Sequence, residues 1–143
     1  MKNPKAFTAL ALATGALITG CAHTVPAGIA LEKTDSFNHR DDIVVSGAIH
    51  TEDGKTAPGN IRVTVDGANF NGNEAQFNGE QSYYKLTADN TSDLHGTTYW
   101  VTVQAEDPEA EVSCYIKDTG ITEPTHASES EGKGSATCRL DYN

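Results

Sequence analysis

From Asp42 to the C terminus, apolar and polar side chains exchange places every second residue, in one short segment after another. Ile43, Val45, Gly47 and Ile49 alternate with Val44, Ser46, Ala48 and His50. Ile61, Val63 and Val65 alternate with Arg62, Thr64 and Asp66, and Tyr84, Leu86 and Ala88 with Lys85 and Thr87. Tyr99, Val101, Val103 and Ala105 alternate with Trp100, Thr102 and Gln104. Two last segments place Val112, Cys114 and Ile116, then Ala136, Cys138 and Leu140, on one parity. A weaker segment runs around Ala75–Phe77. A period of two is that of a strand, whose successive side chains point to opposite faces. No ten-residue window carries a helical period. Turn signals separate the segments: "EDGK" at Glu52–Lys55, "APGN" at Ala57–Asn60, "NGN" at Asn71–Asn73, "FNGE" at Phe77–Glu80, "EDPE" at Glu106–Glu109 and "DTG" at Asp118–Gly120. Many short strands at roughly even spacing predict an antiparallel sandwich of about seven strands.

The same parity assigns faces. Tyr99, Val101 and Val103 claim the core, so Trp100 points away from it. Tyr115 takes the outward register of its own strand. If the two strands are neighbours, Trp100 and Tyr115 share an outer face and mark an interaction surface, since exposed aromatics are favoured at interfaces. The competing expectation is that "EPTHASESEGK", Glu123–Lys133, covers Trp100 as a long, solvated hairpin connection.

The N terminus has a different pattern. Lys2 and Lys5 precede an apolar run from Ala6 to Ile18, and no acid occurs before Cys21. The run is shorter than the ~20 residues of a membrane-spanning helix, which favours a removable signal over an anchor. It ends in Ile18-Thr19-Gly20-Cys21, which resembles a bacterial lipobox. That resemblance implies cleavage before Cys21 and a diacylglycerol on its thiol, with a further acyl chain, such as palmitate, on the new amino terminus. Two or three chains exceed the single-chain limit of marginal membrane binding. The chain then divides into a signal peptide over 1–20, a lipidated tether over 21–40 and a β-sandwich domain over 41–143. At ~5–6 Å × √n the tether reaches roughly 25 Å.

With Cys21 acylated, Cys114 and Cys138 remain, an even number for an oxidising compartment. Both lie on the inward register. A bridge between them closes a loop of about 25 residues, for which chain entropy gives ~3.5 kcal/mol.

Removal of Lys2 and Lys5 with the signal leaves 8 basic residues against 20 acidic ones, a balance of −12. Such a surface repels nucleic acid and anionic headgroups, so the lipid must hold the protein at a membrane. No pair among His23, His39, His50, His95 and His126 has zinc-motif spacing, and there is no Cys-x-x-Cys. No Gly-x-Ser-x-Gly elbow occurs. "DGANFNGNE", Asp66–Glu74, fails as a calcium loop: with Gly72 as the turn glycine, Gly67 stands where the first carboxylate belongs. Neither catalytic residues, a metal nor another cofactor is expected.

Two family resemblances follow from quoted residues. "YWVTVQAEDPEAEVSCYIKDTGITEPTHASESEGKGSATCRL", Tyr99–Leu140, resembles the C-terminal half of the MmpS family, small mycobacterial membrane proteins that accompany large lipid-exporting pumps. That family's fold is an immunoglobulin-like β-sandwich, and its members are held by one transmembrane helix where this chain has a lipobox. "VSGAIHTEDGKTAPGNIRVTVDG", Val45–Gly67, looks like the start of transthyretin-like or carboxypeptidase-regulatory sandwich repeats. Neither resemblance brings catalytic residues. The expectation is a non-enzymatic, extracytoplasmic protein lipid-anchored to the bacterial cell membrane, with an envelope transporter as the partner that the MmpS resemblance implies. The alternative is a small lipid- or glycan-binding lipoprotein, which would need a pocket between the sheets.

Overall fold

The computed structural model describes residues 25–35, 43–118 and 127–142. The signal peptide, Cys21, His23, His39, His126 and the first part of the expected Glu123–Lys133 connection, residues 123–126, lie outside the described residues.

The domain is the expected two-sheet antiparallel sandwich. Its strands are β1 (Ala30–Thr34), β2 (Ile43–His50), β3 (Gly59–Val65), β4 (Glu74–Phe77), β5 (Ser82–Thr87), β6 (Thr97–Ala105), β7 (Glu111–Asp118), β8 (Ala127–Lys133) and β9 (Ser135–Tyr142). One sheet runs β1-β5-β2-β7-β8 and the other β4-β3-β6-β9. The seven segments with a period of two are β2 to β7 and β9. Strands β1 and β8 are additional, and both are edge strands.

β1 moves the domain boundary. It pairs antiparallel with β5 from Ala30↔Thr87 to Thr34↔Tyr83, inside the span expected to be tether. Val25 and Leu31 pack against the core, and the Lys33 amine lies 5.6 Å from the centre of the Tyr84 ring. The sandwich therefore takes in residues well before 41. β8 corrects the long connection in the same way. Ala127–Lys133 is a strand paired with β7, from Lys117↔Ala127 to Glu111↔Lys133.

Between the sheets the alternating apolar residues meet. Ile43, Val45 and Ile49 of β2, Leu86 of β5 and Ile116 of β7 face Ile61, Val63 and Val65 of β3 with Tyr99, Val101 and Val103 of β6, and all are fully buried. Each such side chain contributes roughly 1.5–3 kcal/mol by leaving water. Gly47 and Gly59 mark close approaches of the two sheets, because a Cβ would stand 2.8 Å from Val103 Cγ2 at the first and closer still to Ile49 Cδ1 at the second. Cys114 of β7 and Cys138 of β9 form a disulfide across the two sheets, with Cα atoms 6.1 Å apart. It closes a separation of 24 residues. Gly134 alone joins β8 to β9 and turns the chain from one sheet to the other at φ 77°, a conformation that glycine adopts at no steric cost.

The strands define two poles. At the first lie Val25–Ile29, the Asp66–Gly67 hairpin, a short 3-10 turn over Thr91–Leu94 and Tyr142. Asp66 and Gly67 have φ 50° and 85°, the two positive angles of a tight hairpin turn. Leu94 is fully buried and plugs this end, and its carbonyl accepts a 2.7 Å hydrogen bond from the Tyr99 hydroxyl. At the second pole lie the loops 51–58, 78–81 and 106–110, with Gly134.

Candidate interaction surface

The two sheets present different outer faces. On the five-stranded sheet the outward residues of β2 are small: Val44, Ser46 and Ala48. Register places Val44 between Lys85 and Lys117, and Ser46 between Tyr83 and Tyr115. These longer residues flank the central strand, and Val44 is 0% exposed and Ser46 only 2%. Tyr115 is itself half-buried.

On the four-stranded sheet the centre is large and its neighbours are small or polar. The outward row through the middle reads Thr64–Trp100–Arg139. The next reads Glu74–Arg62–Thr102–Thr137, and the third Gln76–Asn60–Gln104–Ser135. Trp100 is 39% exposed, the one large apolar side chain standing in solvent among the described residues. The Arg139 guanidinium lies 5.2 Å from its ring centre, in cation–π range. Arg139 is held by Asp141, with Nη2 at 3.0 Å and Nε at 3.1 Å from the same carboxylate oxygen. Asp141 in turn accepts from the Thr98 hydroxyl at 2.7 Å. A network of this kind fixes the guanidinium plane beside the indole. It adds little stability of its own, because both charged side chains are about half exposed.

Trp100 and Tyr115 do not share a face. β6 and β7 are consecutive in the chain but belong to different sheets, so the two aromatics stand on opposite sides of the sandwich. Alternation along each strand sets inward or outward. It says nothing about which sheet a strand joins. Trp100 is also not covered by Ala127–Lys133, which runs at the edge of the other sheet.

The expected disulfide partners are joined, and both half-cystines are buried. His50 sits at the end of β2 opposite Glu111, and His95 stacks on Tyr142 at 4.1 Å between ring centres. Among the described residues no three His, Cys, Asp or Glu side chains are close enough together to hold a metal ion. The Asp66–Glu74 segment is a hairpin turn followed by a short connection. There the Asn73 amide donates to the Val63 carbonyl at 2.8 Å. A lipid pocket between the sheets would need space that the buried residues of both sheets occupy. Among the surface depressions, one is lined by Asn60, Gln76, Gln104 and Glu106 on the Trp100 face, one by His50, Glu111, Ser113 and Lys133, one by Ser46, Tyr115 and Glu131 on the five-stranded sheet, and one by Lys33, Gln76, Asn78 and Glu80.

Sequence reasoning missed the amide row Gln76–Asn60–Gln104. No single segment carries it, because it comes from three strands. The signal available was the outward parity of polar residues on each.

No family model matches this chain, and no curated protein or solved structure matches it.

Proposed function

We propose that the protein is a non-catalytic, lipid-anchored binding subunit of the bacterial cell envelope. Acyl chains on Cys21 hold it at the membrane, and the outer face around Trp100 engages its partner. The observation that carries this reading is the exposed Trp100 on a polar sheet face, beside Arg139. A tryptophan costs exposure of its apolar ring when it stands in water, and it repays that exposure at an interface, where Trp and Arg are enriched. The partner implied by the MmpS resemblance is an envelope transport protein. A second reading, a glycan, is favoured by the amide row Gln76–Asn60–Gln104 lying about four residues along the strands from Trp100. Amides both donate and accept, which suits hydroxyl groups, and the indole offers an apolar platform.

The test uses photo-reactive residues placed in the full-length protein at Thr102, on the Trp100 face, and at Lys85, on the opposite face. A protein adduct is expected from Thr102 alone, and Trp100→Ala should abolish it. Equal adducts from both faces would exclude the surface. Absence of a protein adduct together with glycan-dependent change in Trp100 emission would select the second reading. Intact mass of the membrane-purified protein tests the anchor, and an unmodified Cys21 there ends it.

A further inference from the structure

We infer that the first pole of the sandwich, formed by Val25–Ile29 with the Thr91–Leu94 turn, rests against the membrane surface. This deepens the anchored reading and depends on acylation of Cys21. The argument begins with chain length. Only three residues separate Cys21 from Val25. A fully extended chain spans at most ~3.3–3.6 Å per residue, so the two Cα atoms are no more than about 14 Å apart. Val25 is not the start of a loose tether. It packs against the core, Pro26 is buried, and Ile29 is 9% exposed. The Ile29 amide donates to the Pro26 carbonyl at 3.3 Å, and the Asp89 amide donates to the Ala27 carbonyl at 2.9 Å. The first bond closes a turn within the entry segment, and the second ties that segment to the loop after β5. The reach of roughly 25 Å expected for a tether over 21–40 is therefore not available.

β6 runs from one pole to the other over nine residues, so the ends stand roughly 30 Å apart. Trp100 is the fourth residue of β6, about 10 Å above its membrane-side end. A surface at that height meets the external part of a membrane-embedded protein.

The experiment uses the full-length acylated protein in phosphatidylcholine vesicles whose headgroups carry a nitroxide quencher. Thr91→Cys and Glu52→Cys are each labelled with a thiol-reactive fluorophore; both native positions are exposed, one at each pole. Quenching is expected to be several-fold stronger at position 91 than at 52. Inserting ~20 flexible Gly-Ser residues between Thr24 and Val25 should erase the difference. Equal quenching in the protein without the insertion overturns the orientation, as does a difference that survives the insertion. The intact mass of the same sample separates the two failures. Acylated Cys21 with equal quenching removes the orientation alone, whereas unmodified Cys21 removes the anchor and the orientation with it.

Discussion

The outer face of the five-stranded sheet and that of the four-stranded sheet are built from the same alternation and end differently. In β2 the outward residues are small and stand between long neighbours: Val44 lies between Lys85 and Lys117. In β6 the outward residue is the largest available, and its neighbours Thr64 and Arg139 leave it standing. Exposure of an outward position thus depends on its own size relative to that of its cross-strand neighbours, which interact at Cβ separations of about 4.5–5.5 Å. On one face the outward residues of the central strand are buried. The other keeps an apolar ring in water, which is why the proposed binding surface is put there.

The largest expected effect concerns the link that makes the two faces parts of one body. Replacing both half-cystines, Cys114→Ser with Cys138→Ser, should lower stability by ~2–5 kcal/mol, read from a denaturant midpoint without reductant. An unchanged midpoint would mean that packing alone unites the sheets. Next, Val44→Ala on the outer face of the five-stranded sheet should cost about 2 kcal/mol, from two buried methyl groups and the space they leave. A loss of only a few tenths would show that this face is open after all, and the contrast with Trp100 would collapse.

Tyr99 sharpens the contrast within a single strand, because it neighbours Trp100 and points inward. Burial pushes its hydroxyl up to about 12. An ordinary tyrosine titrates near 10, so folding favours the neutral phenol. The stability this provides is complete below pH ~10 and is lost as the pH rises from there through about 12. Tyr99→Phe should cost about 1 kcal/mol at neutral pH, through the hydrogen bond lost to the Leu94 carbonyl. It should also flatten part of the alkaline loss. Burial raises Tyr84 as well, so some alkaline loss should remain. An identical alkaline profile in the variant would move the effect away from Tyr99. The smallest effect belongs to the open face. Trp100→Ala should cost about 1 kcal/mol or less, chiefly the contact with Arg139, against the ~3–5 kcal/mol of a core tryptophan. A blue-shifted emission in the native protein, with a core-sized loss on substitution, would place Trp100 inside an interior and remove the proposed surface.

How much of this was legible depends on where each signal resides. β3, β5, β6, β7 and β9 could be read because their buried side is apolar and their outward side largely polar; β2 is buried on both faces, but its bulkier residues Ile43, Val45 and Ile49 still fall on one parity. β8 is written in another code. In "SESEGK" the small residues Ser128, Ser130 and Gly132 are half-buried, while Glu129, Glu131 and Lys133 are exposed. The period is two, but small against charged replaces apolar against polar, as suits an edge that must not pair with other chains. β1 offers only Leu31 to the core, too little to stand out from the residues before it. The candidate surface was half legible: Trp100 was found by parity, while its supposed companion Tyr115 proved to be on the far side, and the amide row came from strands distant in the chain.

Alternation is a local property, fixed by the backbone geometry of successive residues. By itself the sequence therefore determined which residues form most strands, that Tyr99 points in and Trp100 out, and that both disulfide cysteines face the core. Pairing is not local. Whether β7 lies beside β6 or beside β2 depends on the packing of the whole, and the alternation of each strand is satisfied either way. Only the tertiary structure decided that β7 joins β2 while β9 joins β6, and so that Cys114 and Cys138 connect opposite sheets. The same choice left Trp100 on one face with Arg139 and put Tyr115 on the other.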